Sequence, residues 1–319
     1  MRILGLVGSR RRVGNTEILV KEAVKAARDQ GAEVVLIRLS DLYIQQCNGC
    51  MACMGRGERC RLEDDMDFLG EEMEKSDGIV LGAPSYLHLP PGTFCLINER
   101  LEGLRLPTDR IKMAVSIGTA GLADRAGWVV PILNMFLRFT GHEVVGSVLA
   151  ISAGPGEVLF DDRKEVVSEA YQLGARLVSA IRGEEATRLR GIDRFKILDP
   201  RRWEGDKLYT PSGYCCPFCF CKSFDFSTPD TVRCSSCYNQ IGKVVPKTDG
   251  GVTIEFRELT EEEARQKLDE HMSTWVAGST PWFVAQRDKI KDVRSAYARL
   301  EIPWLTPPSK QKAEGEAGT

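Results

Sequence analysis

Cysteine is the residue type whose spacing carries the most chemical information in this chain. Of its 11 cysteines, ten fall into two tight groups, and only Cys95 lies apart. In a reducing compartment a two-residue gap between cysteines indicates metal ligation, because it lets two thiolates reach one ion. The chain has three histidines. Any metal centre is therefore expected to be held mainly by thiolates, which select zinc or an iron-sulfur cluster.

The first group is a compact CxxCxxCx6C motif made of Cys47, Cys50, Cys53 and Cys60. Three cysteines at three-residue intervals can bind three corners of a cubane, and a fourth after a glycine-containing loop can close it. We interpret the motif as a 4Fe-4S site. A zinc site and unligated thiols are the alternatives, but zinc sites usually come as two separated pairs of ligands.

The second group contains two CxxC pairs that are fourteen residues apart. They are Cys216, Cys219, Cys234 and Cys237. Such pairs can place four thiolates tetrahedrally around one ion, as in a zinc ribbon. Zinc is the favoured metal. A rubredoxin-like mononuclear iron is the main alternative, and a second cluster that uses Cys215 or Cys221 is a third.

A glycine-rich segment, Gly8 to Thr16, reads GSRRRVGNT and joins an apolar run to a helix-like segment. Its glycines allow the backbone to approach an anion, the helix N-terminus offers N–H groups, and Ser9, Asn15 and Thr16 add donors. The spacing differs from those of nucleoside-triphosphate and dinucleotide loops, which favours a monophosphate such as that of FMN. The alternative is a glycine-rich turn with a solvated basic rim.

The elements that must position these motifs alternate along residues 1–182. The apolar runs are 3–7, 33–39, 78–82, 112–117 and 143–151, and the helix-like segments are 16–30, 65–76, 128–140 and 163–181. Continuous Val/Ile/Leu runs are typical of strands buried on both faces, and helices between them imply parallel crossovers. The sequence therefore predicts an α/β fold with a doubly wound, five-stranded parallel sheet.

Ligands of such a sheet bind beyond the carboxyl ends of its strands, so the loops after strands 3 and 4 should complete the site. The first, Ala83 to Gly92, reads APSYLHLPPG and offers rigid backbone and an aromatic ring. The second, Gly118 to Gly121, reads GTAG and permits close approach. Tyr86 fits either a flavin-facing role or a packing role at the rim.

Together, CxxCxxCx6C after strand 2, GSRRRVGNT and APSY resemble the iron-sulfur flavoproteins of the NADPH-dependent FMN reductase and flavodoxin-like group. The resemblance covers about residues 1–182 and implies a flavodoxin-like fold, one FMN, one 4Fe-4S cluster and a homo-oligomer. It implies that Cys47, Cys50, Cys53 and Cys60 bind the cluster. It also implies an FMN site made of Ser9, Arg11, Gly14, Asn15, Thr16, Pro84, Ser85, Tyr86, Gly118 and Thr119.

The chain after residue 182 departs from that minimal pattern. We expect a linker over 183–212, a zinc-ribbon-like module over 213–257, helices within 258–302 and a disordered tail over 303–319. The module is rich in aromatic residues, but four Lys/Arg against two Asp between residues 213 and 247 do not favour nucleic-acid binding. The whole chain is nearly balanced in charge, at −2.

These observations predict an oxidoreductase that couples two-electron FMN chemistry to one-electron transfer through the cluster. The alternatives are an NAD(P)H:quinone-type FMN reductase with structural zinc only, and a redox-sensing module that docks through the ribbon. The expected partners are a one-electron carrier such as ferredoxin, and NAD(P)H. No acid-base constellation nominates a catalytic residue. Because no signal-peptide cleavage site or apolar span is evident, we expect a cytoplasmic protein.

Overall fold

The structure is a computed structural model. It describes residues 1–50, 52–55, 60–104, 106, 112–122, 125–161, 164–184, 224–228, 230–234, 240–248, 250–256, 285–298 and 300–308. The chain divides into two compact units. The first comprises Met1–Thr187 and Gly278–Thr319, and the second comprises Arg188–Ala277.

The first unit is built on a five-stranded parallel sheet. Its strands are β1 (Arg2–Val7), β2 (Glu33–Arg38), β3 (Gly78–Pro84), β4 (Lys112–Ala120) and β5 (His142–Ile151). Their order across the sheet is β2-β1-β3-β4-β5. This is the flavodoxin-like order, and it confirms the predicted sheet. The central strands are buried on both faces, which explains their uninterrupted apolar sequences.

Helices cover both faces of this sheet. They are α1 (Asn15–Asp29), α2 (Ala52–Gly55), α3 (Met66–Lys75), α4 (Gly92–Glu99), α5 (Val129–Phe139), α6 (Lys164–Ile181) and α7 (Arg287–Tyr297). One apolar core joins α1 and α6 to the sheet, and a second joins α3, α4 and α5. None of the helices in these described ranges has the length and hydropathy needed to cross a membrane.

The second unit contains a four-stranded antiparallel sheet within the predicted zinc-ribbon-like module. Its strands, in spatial order, are β6 (Phe224–Thr228), β7 (Thr231–Cys234), β8 (Gln240–Pro246) and β9 (Val252–Phe256). Cys234 is buried at the end of β7. The other cysteines of this module, namely Cys215, Cys216, Cys219, Cys221 and Cys237, lie outside the described residues. So do most of the predicted linker and residues 258–284 of the region predicted to contain helices.

The expected disordered tail over 303–319 is wrong at its beginning. Leu36 on β2 donates its N–H to the Pro303 carbonyl at 2.9 Å, and Leu305 donates its N–H to the Leu36 carbonyl at 2.9 Å. β2 is an edge strand with unpaired backbone groups, so a short segment can add to it. The prediction of disorder used only the proline-rich, charged composition of residues 303–319. That composition carries no information on β2, the distant edge strand with which residues 303–305 pair.

A buried histidine at the start of β5 makes the stability of this unit depend on pH. His142 is 4% exposed, and its Nδ1 lies 3.1 Å from the Thr140 hydroxyl. Burial, assisted by the charge of Lys112, lowers the pKa of His142 from 6.5 to about 4. Between these values the unfolded chain binds the proton and the folded chain does not. Stability is therefore lost as the pH falls from 6.5 towards 4.

We expect the wild-type free energy of unfolding to fall by about 2 kcal/mol between pH 7 and pH 5 because of this residue alone. Urea unfolding of the wild type and of His142→Gln at both pH values measures the effect. Glutamine does not titrate in this range, so the variant should lose that much less stability on acidification. Equal losses in the two proteins would contradict the assignment.

Candidate functional site

The segment between β1 and α1 lies at the carboxyl edge of the sheet. Gly8 donates its N–H to the Gly82 carbonyl on β3 at 2.7 Å. A Cβ at Gly8 would lie 2.9 Å from the Ala83 Cβ, so this approach requires glycine. Val13 adopts a left-handed backbone conformation with φ of 52°. The loop thus packs directly against β3 and turns sharply before α1 begins.

Side chains predicted to donate to a phosphate also join neighbouring loops. The Asn15 amide donates to two backbone carbonyls of the loop after β5, at 2.8 and 3.2 Å, and its oxygen accepts the N–H of Gly156 at 2.8 Å. The Thr16 hydroxyl lies 2.7 Å from the Thr119 hydroxyl. These contacts hold three loops together, and direct contact of Asn15 and Thr16 with a ligand remains a prediction.

Three other predicted residues lie within the loop or at its end. Ser9 is 4% exposed, and its hydroxyl accepts the backbone N–H of Arg11 at 3.2 Å. The side chain of Arg11 is exposed at the rim, where it can reach an anion. Gly14 is the residue immediately before α1, and its carbonyl accepts the first helical bond, from Ile18, at 3.0 Å. The first N–H groups of α1 consequently lie at the position predicted to bind the phosphate.

A buried charge network lies beneath this loop. Glu17 receives hydrogen bonds from Arg38 at 2.6 Å and Lys21 at 2.9 Å, and it accepts the backbone N–H of Val13 at 2.8 Å. All three charged side chains are at most 6% exposed. Burial raises the pKa of Glu17, but the bonds from Arg38 and Lys21 outweigh it and lower the pKa. Glu17 therefore stays ionised and ties the loop to β2.

The loops after β3 and β4 are also connected. Pro84 ends β3, and the following Ser85 donates its N–H to the Thr119 carbonyl at 2.7 Å. Tyr86 begins a tight turn that its N–H closes by a 2.7 Å bond to Leu89, and its side chain is 53% exposed. This turn presents an aromatic ring at the same sheet edge as the glycine-rich loop.

Gly118 is placed near the end of β4, where a Cβ would lie 2.6 Å from Val130 Cγ2. The next residue, Thr119, is 5% exposed and makes the hydroxyl contact with Thr16. Because β1, β3 and β4 are parallel neighbours, their carboxyl ends meet at one edge. The structure thus gathers all ten predicted flavin-site residues at or beside this edge.

The cysteine motif follows β2, which neighbours β1, and therefore leaves the sheet at the same edge. Cys47 and Cys50 are exposed, Cys53 and Cys60 are half-buried, and none of the four forms a disulfide. The Cys47 N–H donates to Glu99 Oε1 at 2.9 Å. Within the described ranges, no three Cys, His, Asp or Glu side chains converge on a common metal position.

Arg100 connects the two ends of this cysteine segment. Its guanidinium donates to Cys60 Sγ at 3.2 Å, to the Gln45 carbonyl at 3.1 Å and to the carboxylate of Asp64. Asp64 in turn accepts the Gln45 N–H at 2.8 Å. The side chains of Arg100 and Asp64 are 2% and 0% exposed. The chain before Cys47 and the chain after Cys60 are thus held by one buried ion pair.

Comparison with known proteins identifies the family to which this chain belongs. Residues 1–155 match the model of the NADPH-dependent FMN reductase family. An iron-sulfur flavoprotein of Archaeoglobus fulgidus is 32% identical over 181 residues, which cover 56% of this chain and 80% of that protein. The chain belongs to the iron-sulfur flavoprotein family. This flavoprotein is an FMN-dependent oxidoreductase.

Two further matches cover nearly the whole flavoprotein. Flavone synthase cfoJ of Aspergillus candidus is 24% identical over an alignment of 346 positions, which covers 97% of this chain and 99% of that protein. A solved structure of a flavone reductase covers 94% of this chain and 98% of its own, with 20% identity and a TM-score of 0.50. The latter shows the fold. The region after residue 182 is thus shared with at least one full-length relative.

The flavoprotein's sheet edge fits FMN. The Ser152 hydroxyl, at the end of β5 beside Asn15, is buried and has no hydrogen-bond partner among the described residues. A buried hydroxyl without a partner is costly, and a bound phosphate or ribityl group can supply one. With the helix N-terminus and the basic rim of Arg10 to Arg12, this hydroxyl forms a donor set suited to a monoester phosphate.

Several structurally important residues were missed by sequence reasoning. Glu17, Arg38, Asp64 and Arg100 are buried charges, and no motif singles them out. Arg38 carries a weak signal, because it directly follows the apolar run Val34 to Ile37 on a buried strand, where a buried charge needs a partner. Arg100 carries no such signal, since its partners lie 36 to 55 residues away in the chain.

Proposed function

We propose that this flavoprotein transfers electrons between FMN and a 4Fe-4S cluster bound by Cys47, Cys50, Cys53 and Cys60. The observation that carries the proposal is topological. The glycine-rich loop after β1 and the cysteine motif after β2 leave adjacent parallel strands at one sheet edge. Four thiols, none of them in a disulfide, are a donor set that suits such a cluster.

When bound, FMN supplies chemistry that exchanges either two electrons or one, and the cluster supplies one-electron transfer. The chain's own residues bind and orient these groups. The first N–H groups of α1, together with Arg11, bind the phosphate. The loops that carry Ser85, Tyr86 and Thr119 flank the ring and ribityl positions, and Arg100 orients Cys60. No described side chain needs to move a proton for electron transfer.

The same proposal assigns one zinc ion to the second unit, held by Cys216, Cys219, Cys234 and Cys237. The burial of Cys234 at the end of β7, in a small antiparallel sheet, supports a structural metal site there. NAD(P)H as the two-electron donor, a ferredoxin-like one-electron carrier as the acceptor and a homo-oligomeric assembly complete the proposal.

Anaerobic analysis of iron, acid-labile sulfide, zinc and flavin in the purified protein tests the proposal. We expect about four irons, about four sulfides, one FMN and one zinc per chain. In Cys53→Ala, iron and sulfide should fall well below this level because the cluster loses a ligand, whereas FMN and zinc should be retained. Cys95→Ala, which removes an exposed cysteine outside both motifs, should match the wild type.

FMN and zinc without sulfide in the wild type would overturn the cluster proposal and leave a reductase with structural zinc. Stopped-flow reduction by NAD(P)H provides a second readout. Cys53→Ala should still accept electrons into FMN but should no longer reduce a one-electron carrier at the wild-type rate. An unchanged carrier rate would show that electrons bypass this motif.

A further inference from the structure

Four backbone carbonyls of the glycine-rich loop accept hydrogen bonds from two arginines outside the loop. Arg38 Nη1 donates to the Ser9 carbonyl at 2.9 Å and to the Arg11 carbonyl at 3.4 Å. Arg294 donates through Nε to the Val13 carbonyl at 3.0 Å and through Nη2 to the Arg12 carbonyl. Two guanidinium groups thus satisfy four carbonyls of one short loop.

This arrangement determines the direction of the loop's N–H groups. In a trans peptide the C=O and the following N–H point in opposite directions. The bonds from Arg38 consequently turn the N–H groups of Arg10 and Arg12 away from Arg38. The bonds from Arg294 turn those of Val13 and Gly14 away from Arg294, and the Val13 N–H bonds Glu17 at 2.8 Å. The N–H groups of Arg10, Arg12 and Gly14 are therefore the ones that this loop can offer to an anion.

Arg294 comes from the C-terminal segment, defined as residues 285–298 and 300–308, which lies outside the region matched by the FMN reductase model. Within the first unit, hydrogen bonds join this segment to α1. The Tyr297 hydroxyl donates to the Ile18 carbonyl on α1 at 3.0 Å, and Arg28 donates to the Glu301 carbonyl at 3.2 Å. The segment then ends in the addition of Pro303 to Leu305 to β2, described above.

The C-terminal segment also contacts Arg38, the other arginine that bonds the loop carbonyls. The ring of Trp304 lies 4.6 Å from the Arg38 guanidinium carbon and 5.5 Å from Lys21 Nζ. Stacking of a guanidinium on an aromatic face restricts its orientation. The segment therefore restricts Arg38 by stacking and supplies Arg294 itself.

We propose that the C-terminal segment clamps the phosphate-binding loop, and that Arg294 is a positioning residue for the FMN phosphate. Arg294 holds the Arg12 and Val13 carbonyls and thereby keeps the Gly14 N–H, which lies opposite the Val13 carbonyl, directed to the ligand. Gly156 permits this placement, because a Cβ there would lie 2.7 Å from Arg294 Cγ. The inference rests on FMN binding and is independent of the iron-sulfur cluster.

Flavin binding to the deflavinated full-length protein tests the clamp, with FMN and riboflavin as probes that differ only in the phosphate. Quenching of flavin fluorescence gives the two dissociation constants. Arg294→Ala should weaken FMN binding about tenfold, because two charge-assisted bonds to the loop are lost, and should change riboflavin binding less than twofold. Arg287→Ala, at the exposed start of the same helix, should leave both constants unchanged.

Arg294→Lys keeps the charge but lacks the fork that reaches two carbonyls, so its FMN affinity should lie between those of Arg294→Ala and the wild type. Equal weakening of FMN and riboflavin by Arg294→Ala would overturn the proposal in favour of a general structural role, and so would no weakening of either. If Arg294→Ala does not fold, Arg294→Lys decides. A lower preference for FMN over riboflavin supports the clamp, and an unchanged preference overturns it.

Discussion

Replacement of Arg100 by methionine is expected to lower the free energy of unfolding by about 3–5 kcal/mol, because it leaves the buried carboxylate of Asp64 without its countercharge. Methionine has similar length and fills most of the same space, so the loss reports charge rather than volume. Urea unfolding of the wild type and variant measures it. The iron content should fall as well, since Cys60 loses the donor that orients its sulfur.

The double variant Arg100→Met/Asp64→Asn separates these two effects. Asparagine removes the unpaired charge and its oxygen can still accept the Gln45 N–H, but its NH2 group cannot accept the Met66 N–H that Asp64 accepts at 3.1 Å. Only part of the lost stability should therefore return. The iron content should remain below the wild-type value, because Cys60 still has no guanidinium partner. A double variant no more stable than Arg100→Met would contradict the role of the buried ion pair. Wild-type iron in the double variant would show that the Cys60 contact has no influence on the cluster.

Replacement of Glu17 by glutamine is expected to be about as costly, at about 3–5 kcal/mol, because Lys21 and Arg38 would remain buried without a negative partner. Glutamine keeps nearly the same volume, so packing is preserved. In the wild type, ionised Glu17 contributes to the free energy of unfolding above its unfolded pKa of 4.5, and this contribution is lost as the pH falls through its lower folded pKa. The free energy of unfolding of the variant should not show this loss.

Urea unfolding at pH 7 provides the measurement for Glu17, and Glu71→Gln is the matched control. Glu71 pairs with Lys75 at 3.7 Å on α3, and both side chains are more than half exposed. A surface pair of this kind is worth less than about 1 kcal/mol. If the two substitutions had equal effects, the network beneath the glycine-rich loop would not be a buried charge cluster in solution.

The fold of residues 1–182 follows closely from local sequence. Uninterrupted apolar runs such as Ile3 to Val7 and Gly78 to Gly82 predict strands buried on both faces, and the structure places β1 and β3 there. The glycine-rich loop is only partly local, because Gly14 is needed beside Arg11 whereas Gly8 is needed beside Ala83 on β3. Its placement at the carboxyl edge of the sheet follows from the parallel topology.

The cysteine pattern is likewise a property of neighbouring residues, and it predicts a ligand set without any knowledge of the fold. What holds that ligand set was not predictable. Arg100 and Asp64 are 36 residues apart and meet only because α4 is packed near the chain that enters and leaves the cysteine segment. No periodicity or spacing indicates such a pair.

The placement of the C-terminal segment depends most clearly on tertiary contacts. Its sequence predicts a helix and then disorder, yet Arg294 reaches Val13 across 281 residues and Pro303 pairs with an edge strand formed near the N-terminus. By itself, the sequence determined the strands, the glycine-rich loop and the cysteine motif, because each depends mainly on residues close together in the chain. Only the tertiary structure decided which buried charges and which terminal segment hold those loops in place, because such contacts depend on strand order and on surfaces that exist only after folding.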